Sequence, residues 1–141
     1  MGRLDKKVAI VTGGSLGIGA QYCKSLAKEG AKIVIADLID GTKIVKEIEE
    51  NGGEALFVKT NVADEEANKN MAKLTLEKFG DIHIFVANAG LYTYLERKPS
   101  TEETVDEWDE VYSVNIKGVW LGAKAVLPVM KQNGYGKIVN I

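Results

Sequence analysis

Short runs of consecutive apolar residues alternate along this chain with longer segments in which apolar positions recur every three or four residues. Val8-Ala9-Ile10-Val11, Ile33-Val34-Ile35-Ala36 and Ile82-His83-Ile84-Phe85-Val86 are runs of the first kind. Side chains of a strand point alternately to its two faces, so an unbroken apolar run fits a strand covered on both sides. The amphipathic segments between them fit helices packed on such a sheet. The pattern predicts strands at residues 7–11, 32–36, 55–59, 82–86 and 137–141, and helices at 18–29, 42–50, 64–79 and 103–131. This order implies an α/β fold, a doubly wound parallel sheet with helices on both faces and the chain ending in the fifth strand.

Local signals punctuate the helices. Gly30 follows the first as a left-handed cap, and Asn51-Gly52-Gly53 stops the second. Asp64 is an N-cap residue for the third, with Glu65 and Glu66 in the first turn and Met71, Leu74 and Phe79 on the buried side. The long last helix contains Asn115, Gly118 and Pro128, which predicts a bend. Cys23 falls beside Tyr22, Leu26 and Ala27 on the apolar side of the first helix and reads as core, and the lone His83 reads as structural.

With 141 residues, 45% of them hydrophobic, the chain suffices for one core and is expected to form a single domain over residues 1–141. A net charge of −2 gives no basic footprint for nucleic acid. No run approaches the roughly 18 apolar residues of a membrane span, so no membrane partner is expected. One cysteine allows no internal disulfide and suits a cytoplasmic location. No set of residues has metal-ligand spacing.

The chemistry concentrates after the first strand. Thr12-Gly13-Gly14-Ser15-Leu16-Gly17-Ile18-Gly19 delivers a glycine-rich turn to the start of a helix, where unpaired N–H groups and the dipole attract a pyrophosphate. Asp37 ends the second apolar run, about 20 residues past the glycines, where an acidic residue binds the adenosine ribose of a dinucleotide. A P-loop is excluded because Ala20 and Gln21, not Lys and Ser or Thr, follow Gly19. A carboxylate at Asp37 repels a 2′-phosphate, and no Arg or Lys stands at Gly14, Ser15 or Leu38 to neutralise one. NAD is the expected cofactor.

Together with Asn61-Val62, Asn88-Ala89-Gly90 and Val114-Asn115-Ile116, these residues resemble the short-chain dehydrogenase/reductase family over essentially the whole chain. The resemblance implies a Rossmann-like dinucleotide-binding domain, with Gly13, Ser15, Leu16, Gly17, Ile18, Gly19, Asp37 and Leu38 around the cofactor. It implies that Asn61, where the family usually has Asp, meets the adenine edge and that Val62 packs on the ring. Asn88, Ala89 and Gly90 approach the ribose, with Ala87 where a second Asn is common. Asn115 corresponds to the asparagine whose backbone holds a water linked to the catalytic lysine.

In the family, a serine and a Tyr-x-x-x-Lys pair follow the fifth strand, and the sequence stops at Ile141 before them. The literal match Tyr94-Leu95-Glu96-Arg97-Lys98 is rejected as that pair, because Pro99 disfavours helix at Lys98. Leu91, Tyr92, Thr93 and Tyr94 fall where the family often lines its substrate pocket, or in a surface loop. The expectation is a C-terminally truncated, NAD-dependent oxidoreductase that interconverts a secondary alcohol and a ketone when full length, the 141 residues alone being inactive. The alternative is a catalytically silent nucleotide-binding or interaction module. A small-molecule alcohol or ketone substrate and a homodimer or homotetramer are expected, with Trp108, Val111, Trp120 and Leu121 serving either subunit contact or core.

Overall fold

The computed structural model describes residues 2–92 and 98–141. Thr93 and Tyr94, and with Tyr94 the start of the Tyr94 to Lys98 match, lie outside the described residues. The chain forms β1 (Val8–Thr12), α1 (Gly17–Lys28), β2 (Lys32–Asp37), α2 (Thr42–Glu50), β3 (Ala55–Lys59), α3 (Glu65–Phe79) and β4 (Ile84–Ala87). A short 3₁₀ turn then precedes α4 (Val105–Tyr112), a π-helical turn (Ser113–Lys117), α5 (Gly118–Gln132) and β5 (Lys137–Asn140). All strand pairings are parallel, in the order β3-β2-β1-β4-β5.

Register divides the apolar runs between two cores. Ala9 and Val11 align with Ile33, Ile35, Ile84 and Val86 on one face, where Ala20 and Cys23 of α1 and Ile44 and Ile48 of α2 cover them. Ile10, Val34, Val58 and Phe85 point the other way, onto Met71 and Ala72 of α3 and Val126 and Met130 of α5. Both faces of the sheet are therefore dry, which is why the strands read as unbroken apolar runs. Burial pushes the Cys23 thiol up to about 12, so it behaves as a small core hydrophobe. The α1 helix closes at Gly30 (φ +94°), whose N–H bonds Ala27 O while Ala31 N–H bonds Leu26 O. That paired arrangement needs the left-handed conformation glycine adopts freely.

Two boundaries differ from the sequence expectation by two residues and the others by at most one. Strand β4 starts at Ile84, not residue 82: the Ile82 N–H is taken by the adjacent Asp81 carboxylate (2.7 Å), and His83 meets β1 through its ring Nδ1, which accepts from Val8 N–H (3.0 Å), as well as through its backbone. The last helix starts at Val105, not residue 103. Thr104 Oγ1 accepts from Glu107 N–H and the Glu107 carboxylate accepts from Thr104 N–H, a reciprocal cap. The expected irregularity falls at the π turn around Asn115, and α5 continues through Pro128. Leu121 enters the core, whereas Trp108 and Trp120 are exposed. Among the described residues no helix is long and apolar enough to cross a membrane.

Small residues let α5 approach the sheet closely. A Cβ at Gly118 would stand 2.9 Å from Val62 Cγ2, and one at Gly122 would collide with the Phe85 ring. Gly122→Ala is expected to destabilise the protein by about 1–3 kcal/mol through overpacking. That exceeds the roughly 1 kcal/mol alanine gains over glycine in a helix interior. Denaturant unfolding of the variant checks this, and a stabilised protein would refute the packing argument.

Candidate functional site

The strand order reverses between β1 and β4: β2 and β3 extend the sheet to one side of β1, and β4 and β5 to the other. Loops leaving the C-terminal ends of β1 and β4 therefore diverge and leave a crevice between them, where ligands bind in open α/β sheets. Thr12 ends β1, the loop after it contains Gly13 to Leu16, and the β4 loop contains Asn88, Ala89 and Gly90.

These loops are tied by one buried hydroxyl. Thr12, 2% exposed, has its Oγ1 accept from the N–H of Asn88 and of Ala89, each at 3.0 Å. The Asn88 side-chain amide returns the contact, donating from Nδ2 to Thr12 O (3.0 Å) and Gly13 O (3.2 Å). Gly13, at φ +64°, is pressed against Ala89, whose Cα would lie 2.9 Å from an added Cβ. Thr12 and the Asn88 amide are thus structural anchors of the crevice. Thr12 belongs to the glycine-rich motif in the sequence, but its anchoring role is not visible there, since its partners lie 76 and 77 residues away.

At the start of α1 the chain leaves donors free of side-chain caps. Leu16 occupies the N-cap with no side-chain hydrogen bond, and no acidic residue stands in the first turn. By contrast, the Asp64 side chain caps α3, with Glu65 and Glu66 in its first turn, and Thr104 caps α4. A Cβ at Gly17 would meet nothing within 4 Å, so open space adjoins the uncapped turn. Leu16 and Ile18 are exposed there, as are Leu38 and Ile39 at the end of β2. Ser15 and Gly19 are buried, and Gly19 lies under the Gly13 carbonyl with no room for a Cβ.

Asp37 reaches across from β2. Its Oδ2 accepts from Ser15 N–H (3.0 Å) and its Oδ1 from Ile39 N–H (3.1 Å), while Ser15 Oγ donates to Ile39 O (2.8 Å). Among the described residues, no Lys or Arg forms an ion pair with Asp37. A carboxylate has about four acceptor directions, so two N–H bonds leave it able to accept from further hydroxyls.

Beyond β3, Asn61 is exposed and its Oδ1 accepts from Ala63 N–H (3.0 Å), whereas Val62 is buried against Gly118. On the π turn, Asn115 Oδ1 accepts from Leu91 N–H (2.7 Å) and its Nδ2 donates to Leu91 O (3.1 Å). The Asn115 side chain therefore holds the loop after Gly90 through both its oxygen and its nitrogen. Lys98 is committed elsewhere, with Nζ 2.6 Å from both Glu107 oxygens.

A cleft of about 890 Å³ lies away from all of these residues, beside the C-terminal ends of α1 and α2. Of its four lysines, Lys24 and Lys32 pair with Glu47 and Glu54. The crevice at β1 and β4 is the one that adjoins the uncapped start of α1, where N–H groups suit a phosphorylated ligand.

A family model described as short chain dehydrogenase matches residues 7–141. The chain is 37% identical over 141 residues to 2,5-dichloro-2,5-cyclohexadiene-1,4-diol dehydrogenase LinX of Sphingobium indicum, covering 99% of this chain and 55% of that protein. It is 35% identical over 143 residues to cyclopentanol dehydrogenase of Comamonas testosteroni, covering 100% of this chain and 56% of that one. Among solved structures, levodione reductase aligns with a TM-score of 0.89 at 34% identity, covering 98% of this chain and 54% of that chain. The chain spans about half the length of the curated relatives it matches.

Two predictions follow from the anchors. Thr12→Val is expected to cost about 1–3 kcal/mol, because it leaves the N–H of Ala89 without its acceptor, while Thr12→Ser retains most of the stability. Equal denaturation midpoints for the two variants would contradict the assigned bonds. The Lys98 ammonium, with the Thr104 N–H and hydroxyl, holds the Glu107 carboxyl down at about 2 from its ordinary 4.5. Because the folded value is depressed, this contribution is complete above pH 4.5 and fades as pH falls toward 2. Melting temperatures should therefore fall more steeply over that window in the wild type than in Glu107→Gln.

Proposed function

The chain belongs to the short chain dehydrogenase family, and on that premise we propose that its protein is an NAD-dependent oxidoreductase interconverting a small secondary alcohol and a ketone. The observation that carries the cofactor choice is Asp37, a carboxylate with spare acceptor capacity and no cationic partner among the described residues. Its two N–H bonds fix its orientation at the end of β2, and the remaining lone pairs accept from the 2′- and 3′-hydroxyls of an adenosine ribose. A 2′-phosphate in that place would meet an uncompensated negative charge.

Residues 1–141 then act as a single dinucleotide-binding domain. The uncapped N–H groups at the start of α1 bind the diphosphate, and the open space beside Gly17 admits it. The exposed apolar side chains of Leu16, Ile18, Leu38 and Ile39 border the nucleotide, and Asn61 and Val62 border the adenine. Ala89 and Gly90 lie along the ribose on the β4 side, held in place by Asn88 and Thr12. A nicotinamide ring, when bound, supplies the hydride acceptor or donor. With the side chain of Asn115 engaged on Leu91, its contribution to proton relay falls to the backbone of the π turn.

The same reading extends to assembly and location. Val105, Trp108, Tyr112, Ile116 and Trp120 recur every three or four residues and are exposed, which suits a subunit contact in a homodimer or homotetramer. The single cysteine, buried and unpaired, suits a cytoplasmic setting.

In the full-length protein, Asp37→Ser should weaken NAD binding about tenfold or more, the worth of a charged hydrogen bond, while NADP binding tightens. Adding Leu38→Arg should strengthen the switch by a charge-assisted bond to the 2′-phosphate. Calorimetric titration of both cofactors decides it, and unchanged NAD affinity in Asp37→Ser would remove the basis of the assignment.

A further inference from the structure

The buried face of α3 contains a polar residue that the apolar pattern does not explain. Asn68 is fully buried, and its Nδ2 donates to Val62 O (2.8 Å) and Asp64 O (2.7 Å). Two carbonyls at these distances fix the amide orientation, because an oxygen there would be repelled. The other amide atom, Oδ1, is sealed from solvent and has no partner among the described residues. Thr75 on the same face differs, since its hydroxyl donates to Met71 O (2.7 Å). A buried orphan acceptor is unfavourable, and an apolar side chain at position 68 would avoid it. The oxygen therefore does not account for Asn68.

Its donor does. Val62 is buried, and a Cβ at Gly118 of α5 would lie 3.3 Å from Val62 O and 2.9 Å from Val62 Cγ2. The Val62 carbonyl is thus covered by α5, and the Asn68 amide supplies its side-chain donor. Asn61 stands one residue earlier, exposed, with its side chain folded onto Ala63 N–H. One amide consequently fixes the backbone of the β3–α3 loop to α3, beneath Gly118 of α5.

We propose that Asn68 is the positioning residue of the adenine pocket, clamping the β3–α3 loop so that Asn61 and Val62 meet the adenine of the cofactor. The inference rests on the nucleotide-binding reading given above. Asn68 touches neither substrate nor reacting atoms, so it governs affinity for the adenosine half and leaves the chemical step alone.

The test uses the full-length protein with AMP, nicotinamide mononucleotide and NAD as probes. Asn68→Val removes both bonds, and Asn68→Thr keeps a hydroxyl for the carbonyl of Asp64 four residues earlier while losing Val62. Both variants should bind AMP and NAD about tenfold more weakly, the worth of one or two hydrogen bonds. Affinity for nicotinamide mononucleotide and kcat at saturating NAD should not change. Unaltered AMP affinity in either folded variant overturns the proposal, as does an equal loss for AMP and the mononucleotide, which would indicate general loosening. The wild type gives a second measurement that needs no variant. The NMR resonances of the Asn68 side-chain amide should shift on adding AMP and stay in place with nicotinamide mononucleotide, and no response to AMP overturns the proposal. Wild-type protein that binds neither AMP nor NAD would refute the nucleotide-binding reading itself, before any Asn68 variant is made, and this inference with it.

Discussion

Two backbone N–H groups of the loop after β4 end on one hydroxyl at the C-terminal end of β1, and the crevice depends on that convergence. Thr12 Oγ1 accepts from both Asn88 and Ala89, and the Asn88 amide bonds back to the carbonyls of Thr12 and Gly13. Loops diverging from a strand-order reversal have no sheet ladder to hold them. Without another tie their separation would be set by loop flexibility, and the spacing of the two walls would be lost. A threonine buried at 2% exposure replaces the ladder at this point.

Electrostatics then distinguishes the start of α1 from the starts of α3 and α4. The first turns of α3 and α4 contain acidic residues and side-chain caps, so their N–H groups and dipole are already answered. The start of α1 has neither, and it adjoins open space at Gly17. Beside it, Asp37 is held by two N–H groups and, among the described residues, not by a cation. A donor-rich helix end and a carboxylate with free acceptor directions lie within one site, which suits a ligand carrying phosphates at one place and hydroxyls at another.

The second wall is built through close packing. Gly118 and Gly122 bring α5 against Val62 and Phe85, and the π turn before it brings Asn115 to Leu91. Asn68 completes the connection by binding the carbonyl of Val62 from α3. The β3–α3 loop, the β4 loop and α5 are therefore linked by close apolar packing at Gly118 and Gly122 and by hydrogen bonds at Asn68 and Asn115. The contacts at Gly118, Gly122 and Asn68 tolerate little displacement, since each involves a buried group.

The sequence by itself determined the elements and their order. Apolar runs such as Val8 to Val11 can only be strands dry on both faces, and glycine positions such as Gly30 mark helix ends because other residues resist a positive φ. Asp37 was legible as well, since its distance from the glycine-rich turn is a property of one βαβ unit. The Thr104 and Glu107 cap is also local, a Thr-x-x-Glu spacing that places the helix start at Val105, two residues beyond residue 103. What only the tertiary structure decided are the partners distant in sequence: Thr12 with Asn88 and Ala89, Asn115 with Leu91, Val8 with the His83 ring, and Val62 with both Asn68 and Gly118. Hydrophobic periodicity reports which face a residue occupies, whereas a hydrogen bond depends on which other backbone the folding brings within 3 Å of it. Asn68 shows the difference within a single helix. Its position on the buried face of α3 follows from helical geometry, but its reason for being there belongs to a carbonyl that α5 covers.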